Sequence, residues 1–326
     1  MLLSADVITW ATNHPIVAVL VGLVGLVSGA ELLVRGAVWM ALTLGMSRMA
    51  VGLTLVSIGT SLPEFLVTLT AADDHPDLAM GNVMGSNIAN ILLIVGVTAT
   101  IRAIRLETKW LELGFMISLT GLLCLPFFGA KLERWQAAIM LTTLIVFVGQ
   151  LLARERRARV ESADGPQQPT STARGWLIHA LLLSGGFVML AYSADWLVEG
   201  AAVVAENCGM SPNVIGLTVI AVGTSMPELA TSAVAALRGQ PEICIGNVIG
   251  SNIFNIGAVI GGAGLLKPFA FDPQFADLFL TMGATLCLVL LLRACKGVPR
   301  TLGAVMALAY AGFLAFKVLT DPASAS

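Results

Sequence analysis

Apolar residues in this chain run on without alternation. Stretches of about twenty residues or more follow one another at 15–44, 49–72, 78–100, 110–128, 134–153, 176–206, 213–237, 242–266, 275–294 and 299–319. A helix needs about 20 mainly apolar residues to cross a bilayer, whereas barrel strands alternate. The pattern predicts an all-α polytopic membrane protein with ten transmembrane helices. Of the 326 residues only 12 % are charged, about half the share of a soluble domain, so the surface must face lipid. A net charge of −2 excludes a nucleic-acid partner. The first and sixth runs are too long to stand upright and should tilt or project. No Lys or Arg precedes the first run, so it reads as a permanent span rather than a cleaved signal. The five cysteines form no CxxC pair and read as apolar filler.

Residues 154–174, RERRARVESADGPQQPTSTAR, have linker composition. They suggest a first five-helix half at 1–153, a linker at 154–175 and a second half at 176–326. With the N-terminus outside, thirteen Lys and Arg fall in inner loops and four in outer segments, Arg35 lying within a span. Positive charge gathers on the cytoplasmic side. The expected topology is multi-pass in the plasma (bacterial inner) membrane, with both termini outside and a cytoplasmic linker.

The two halves carry the same blocks. MSRMAVGLTLVSIGTSLPE (46–64) and MSPNVIGLTVIAVGTSMPE (210–228) share ten of nineteen residues at an offset of 164. GNVMGSNIAN (81–90) and GNVIGSNIFN (246–255) share eight of ten at an offset of 165. Five spans separate the copies, and five is odd. The second copy therefore crosses the membrane in the opposite sense, giving two inverted five-helix repeats. In secondary transporters so built, substrate sites lie near the midplane where interrupted helices meet.

The blocks explain why a site belongs there. Pro63 has no N–H and its ring crowds the carbonyl of Gly59, so the helix should break around Gly59–Thr60–Ser61. Pro227 does the same for Gly223–Thr224–Ser225. Irregular backbone at membrane depth is tolerated only where it lines a cavity or binds something. Glu64 and Glu228 lie mid-span, where a lone carboxylate costs at least ~2.5 kcal/mol. No basic residue stands at matching depth in spans 2, 3, 7 or 8, so protons or a cation must neutralise them. Asn82, Ser86 and Asn90, and again Asn247, Ser251 and Asn255, recur every four residues on one helix face. Gly81, Gly85, Gly246 and Gly250 form small-xxx-small pairs suited to close helix packing. So many oxygens suit Ca2+, which takes 6–8 at ~2.3–2.6 Å; a transition metal would call for His or Cys. Two glutamates balance one Ca2+ or two Na+, so the two ions would compete.

GTSxPE paired with GNxxGSNxxN, in duplicate, resembles the α-repeats of the cation/Ca2+ exchanger superfamily, in particular the prokaryotic sodium/calcium exchangers. The resemblance covers nearly the whole chain. It implies alternating access, with spans 1 and 6 sliding past an eight-helix core, and exchange of about three Na+ for one Ca2+. Position by position it implies that Glu64 and Glu228, with the Thr60 and Thr224 carbonyls, hold Ca2+. Thr60, Ser61, Ser86, Thr224, Ser225 and Ser251, with the Ser57 and Ala221 carbonyls, would form flanking Na+ sites, and Asn90 and Asn255 would complete the centre. Some prokaryotic members carry Asp where this chain has Asn255. Here only two carboxylates are available, which favours Na+/Ca2+ exchange over K+-dependent or H+-coupled branches. The linker is too short for the calcium-sensing domains of animal exchangers.

Glu31 and Asp195 also correspond, one in each long span. Arg35, a turn after Glu31, is placed to pair with it, and Glu199 holds the matching position. These read as a polar contact between halves, outside the site. The expected protein is a monomeric antiporter with Ca2+ and Na+ as substrates, no cofactor and no catalytic residues. A Ca2+/H+ or other divalent-cation antiporter is the nearest alternative. A channel lined by the broken helices and an intramembrane hydrolase are more distant ones, the latter lacking any nucleophile–His pair or HExxH.

Overall fold

The computed structural model describes residues 5–106, 108–161, 172–210, 212–215, 218–219 and 221–320. Among them the fold is helical throughout, apart from two short ribbons. After a short helix at Ala5–Asn13 come α1 (Pro15–Leu44), α2 (Arg48–Thr60), α3 (Leu62–Asp74), α4 (Pro76–Ile101), α5 (Trp110–Gly129) and α6 (Arg134–Glu161). The second half contributes α7 (Ala173–Asn207), α8 (Met226–Leu237), α9 (Pro241–Leu266), α10 (Phe275–Ala294) and α11 (Arg300–Thr320). Eight of the described helices are long and apolar enough to cross a membrane, and the bent pair α2–α3 makes a ninth. The expected span at 213–237 is described only in pieces, Pro212–Ile215, Ala221–Gly223 and α8.

The span ends agree with the sequence reading to within a few residues, with one correction. α6 does not stop where the linker composition begins but continues to Glu161, and α7 starts at Ala173. Charged residues such as Arg and Glu are good helix formers, so the helix outlasts its apolar stretch. Here it gains partners too. Arg154 pairs with Glu112 of α5 at 2.6 Å, and Glu155 accepts from the Ser47 backbone N–H at 2.6 Å, at the N-cap of α2.

Burial differs widely among the spans. The spanning part of α9 is 94 % buried, that of α7 only 22 %. α1 and α7 pack along each other through glycines that bring backbone against backbone. A Cβ at Gly22 would lie 2.8 Å from Leu197 N, and one at Gly186 2.8 Å from Leu33 N. Small residues are what allow such approach between membrane helices. Across the halves, Gly246 and Gly250 of α9 press on α2, where a Cβ would meet the Met49 carbonyl at 2.7 Å and Ser57 Oγ at 2.5 Å. At Gly81 and Gly85 no described residue comes within 4 Å of that position.

Two antiparallel ribbons join the connections at the helix ends. β1 (Ile104–Arg105) pairs with β4 (Gly297–Val298), and β2 (Lys131–Leu132) with β3 (Phe269–Ala270). Each ties the first half to the second.

Candidate functional site

The helix breaks where Pro63 places it. α2 and α3 meet at an angle of 46°, with Ser61 between them at φ −87°, ψ 6°. Ser225, ahead of α8, has the same conformation, φ −89°, ψ 6°. Glu64 and Glu228 then fall in the first turn of α3 and α8, where unpaired backbone N–H groups favour negative charge. Each glutamate is 1 % exposed. They face the interior rather than lipid, and they lie within electrostatic reach of one another. Gly59 and Gly223 have a packing role beside their weak helix propensity. A Cβ on either would collide with α7, at 1.9 Å from the Phe187 ring and 2.1 Å from Val198 Cγ2.

The second blocks hold the first in place by the same bonds in each half. Asn82 donates to the Glu64 carbonyl at 3.3 Å and to Thr68 Oγ1 at 3.0 Å. Asn247 donates to the Glu228 carbonyl at 3.4 Å and to Ser232 Oγ at 3.1 Å. Thr60 crosses between halves, its hydroxyl donating to Asn247 Oδ1 at 3.1 Å. Ser61 does the same, donating to Glu228 Oε1 at 3.2 Å. Further along, Asn90 donates to Asn252 Oδ1 at 3.0 Å, and Asn255 to Asn87 Oδ1 at 3.1 Å and Ser86 Oγ at 3.0 Å. Asn90 and Asn255 each open a π-helical turn, Asn90–Ile94 and Asn255–Ile260. Such turns often mark functional positions.

Several buried polar atoms remain without a partner. Among the described residues, Oε2 of Glu64, Oε2 of Glu228, Oγ of Ser225 and Ser251, and Oδ1 of Asn90 and Asn255 have no hydrogen-bond partner. A buried polar group left unpaired costs about 1–3 kcal/mol, more if charged. Six such oxygens lie on residues of the two repeated blocks, and Nδ2 of Asn87 and Asn252 is likewise without a partner there. No three His, Cys, Asp or Glu side chains gather anywhere among the described residues.

Most of the residues singled out from the sequence are therefore buried at this centre: Glu64, Glu228, Thr60, Ser61, Ser225, Ser86, Ser251, Asn90, Asn255 and Ser57. The Ser57 carbonyl accepts the Ser61 N–H at 3.0 Å. Thr224 is half-buried and lines a cavity of about 230 Å³ between α3 and α7. Ala221 begins the short helix Ala221–Gly223. Asn87, Asn252, Thr68 and Ser232 were not singled out. Asn87 and Asn252 lie three residues before Asn90 and Asn255, on the same side of the helix, and so meet the asparagine of the opposite half.

Asp195 and Glu199 line the same cavity as Thr224. Their counterparts close on themselves instead. Glu31 accepts from Arg35 and, across 207 positions of sequence, from Arg238 at the end of α8, with Nε at 2.9 Å from Oε2. The polar contact between halves is thus Glu31 with Arg238.

Known proteins share this architecture. The model of the sodium/calcium exchanger protein family matches residues 14–152 and 178–319. The chain is 35 % identical to the inner membrane protein YrbG of Escherichia coli, over 78 % of this chain and 80 % of that protein. It is 32 % identical to the sodium/calcium exchanger MaX1 of Methanosarcina acetivorans, over 90 % and 96 %. The solved sodium/calcium exchanger from Methanococcus jannaschii superposes with a TM-score of 0.79 at 26 % identity, over 93 % of this chain and 98 % of that one.

Proposed function

The chain belongs to the sodium/calcium exchanger family, and from that premise we propose that it exchanges Na+ for Ca2+ across the cell membrane by alternating access. Members of the family are transporters, not enzymes, and the ions are substrates with no cofactor beside them. The observation that carries the reading is the cluster of unpartnered oxygens around Glu64 and Glu228. In the proposed architecture ten helices form two inverted five-helix repeats. The monomer sits in the bacterial inner membrane with both termini outside.

The chemistry follows from charge. Two carboxylates are neutralised by one Ca2+, held by Glu64, Glu228 and the Thr60 and Thr224 carbonyls. The same pair takes Na+ into sites completed by Ser61, Ser86, Ser225 and Ser251, the Ser57 and Ala221 carbonyls, and Asn90 and Asn255. Because the ligands are shared, the ions exclude each other, and exclusion is what couples their fluxes. With about three Na+ per Ca2+ one net charge moves per cycle, worth ~2.3 kcal/mol per 100 mV.

The test is 45Ca2+ uptake into Na+-loaded proteoliposomes. Wild type should accumulate Ca2+ on an outward Na+ gradient, and Glu64→Gln and Glu228→Gln should each abolish it. Near-normal uptake by either variant defeats the site. Uptake driven by an H+ gradient and not by Na+ assigns the chain to the Ca2+/H+ alternative.

A further inference from the structure

We propose that the basic pocket between the α4–α5 connection and the end of α10 binds the phosphate-bearing headgroup of an anionic phospholipid. The pocket is a cavity of about 570 Å³ lined by Thr108, Lys109, Trp110, Leu292, Arg293 and Lys296. Three of the six are cations and none is acidic; Glu107, between Leu106 and Thr108, lies outside the described residues. Lys109, Trp110, Arg293 and Lys296 are all exposed, so the pocket is open to a ligand.

Its cations are placed by the fold. Arg293 Nη1 donates to the Thr108 carbonyl at 2.9 Å, and its guanidinium lies 4.4 Å over the Trp110 ring. Held on both sides, it presents its remaining N–H groups in a fixed fork, a geometry suited to phosphate oxygens. Lys296 is carried in by the β1–β4 ribbon, its carbonyl accepting from Leu106 N at 3.0 Å. Its backbone is left-handed, φ 51°, an uncommon conformation for a non-glycine residue. Gly297 follows at φ 143°, where a Cβ would lie 2.0 Å from the Ile104 carbonyl. The turn is thus wedged against β1 with a lysine at its strained position.

The other ribbon shows that the scaffold does not need these charges. At an offset of 165, Trp110 corresponds to Phe275, Lys109 to Gln274 and Arg293 to Phe128, and by strand register Lys296 corresponds to Ala130. The β2–β3 ribbon and a left-handed residue, Ala130, are kept. None of the three cations is kept there. Trp110 opens α5 and Arg293 falls in the last turn of α10, so the pocket lies where spans leave the apolar layer. Tryptophan favours that depth, and basic pockets between helices there take anionic headgroups. The inference does not depend on which ions the centre carries.

The full chain in detergent, titrated with phosphatidylglycerol or phosphatidylethanolamine and followed by native mass spectrometry, tests it. Wild type should retain phosphatidylglycerol in preference. The double variant K109Q/K296Q should lose affinity by about fivefold per lysine removed, and K131Q on the other ribbon should not. Equal retention of both lipids, or an unchanged K109Q/K296Q, overturns the site. Displacement of the lipid by millimolar inorganic phosphate overturns the lipid assignment in favour of a soluble anion. If K109Q/K296Q does not fold, the wild type decides: brominated phosphatidylglycerol must quench the fluorescence that Trp110→Phe removes, and brominated phosphatidylethanolamine must not.

Discussion

The hydroxyl of Ser61 donates to Glu228 Oε1 at 3.2 Å, while Ser225, at the matching place in the other half, leaves its Oγ without a partner among the described residues. Glu228 is thus held by a serine of the opposite half, and Ser225 returns no such bond among the described residues. A hydrogen bond to a charged group is worth about 1.5–3 kcal/mol. Ser61→Ala should raise the half-saturating Na+ concentration about tenfold or more, and Ser61→Thr should largely restore it. Unchanged Na+ dependence of uptake in Ser61→Ala would count against a role for this hydroxyl.

The buried glutamates should also make stability depend on ions. A ligand that binds only the folded state adds about 2.7 kcal/mol at a hundred times its dissociation constant. Thermal denaturation of the wild type in detergent should therefore shift upward with Ca2+. Glu64→Gln removes a charge from the interior and should fold at least as well without ions, yet show no Ca2+-dependent shift.

Asn247 makes three side-chain bonds, to Thr60, Ser232 and the Glu228 carbonyl. Asn82 makes two, to Thr68 and the Glu64 carbonyl. Each partner stranded in the interior costs about 1–3 kcal/mol. Asn247→Ala should lower the melting temperature more than Asn82→Ala. Equal losses would mean that the bond to Thr60 contributes nothing.

At Gly59 the limit is steric. A Cβ there would overlap the Phe187 ring at 1.9 Å. Gly59→Ala should depress both stability and transport. In Gly59→Ala/Phe187→Ala the added methyl finds the space the ring has left. The double variant should then lose less than the sum of the two single losses, which a double-mutant cycle in thermal stability measures.

If one net charge crosses per cycle, an imposed potential must move the balance point. A potential of 100 mV is worth about 2.3 kcal/mol per charge, or about fiftyfold in the Ca2+ ratio. Vesicles clamped with K+ and valinomycin should show that shift. No shift means an electroneutral cycle.

The spans and the break were legible in the sequence because their causes are local. Apolar length fixes the ends of α1 and α10, and Pro63 and Pro227 sit directly after the broken turn. Glu64 and Glu228 stood out because a carboxylate in a span has no innocent explanation without a counter-charge. Other features come from tertiary packing and leave no local trace. Asn87 and Asn252 matter because the asparagines of the opposite half reach them. Thr68 and Ser232 matter only because an asparagine from the next helix arrives beside them. Arg238 meets Glu31 from the far half of the chain. Arg154 and Glu155, where α6 passes its apolar stretch, find Glu112 and the Ser47 N–H only in the folded bundle.

The glycine seam between α1 and α7 has a mechanical consequence. Backbones in such close contact leave little room to shift against each other. In the alternating access proposed above, the slip plane would therefore lie on the rougher surface where Phe187 and Val198 rest in the notches left by Gly59 and Gly223, the two long helices would travel as one sled over a stationary bed, and the ion pair of Glu31 with Arg238 would have to open for the sled to move.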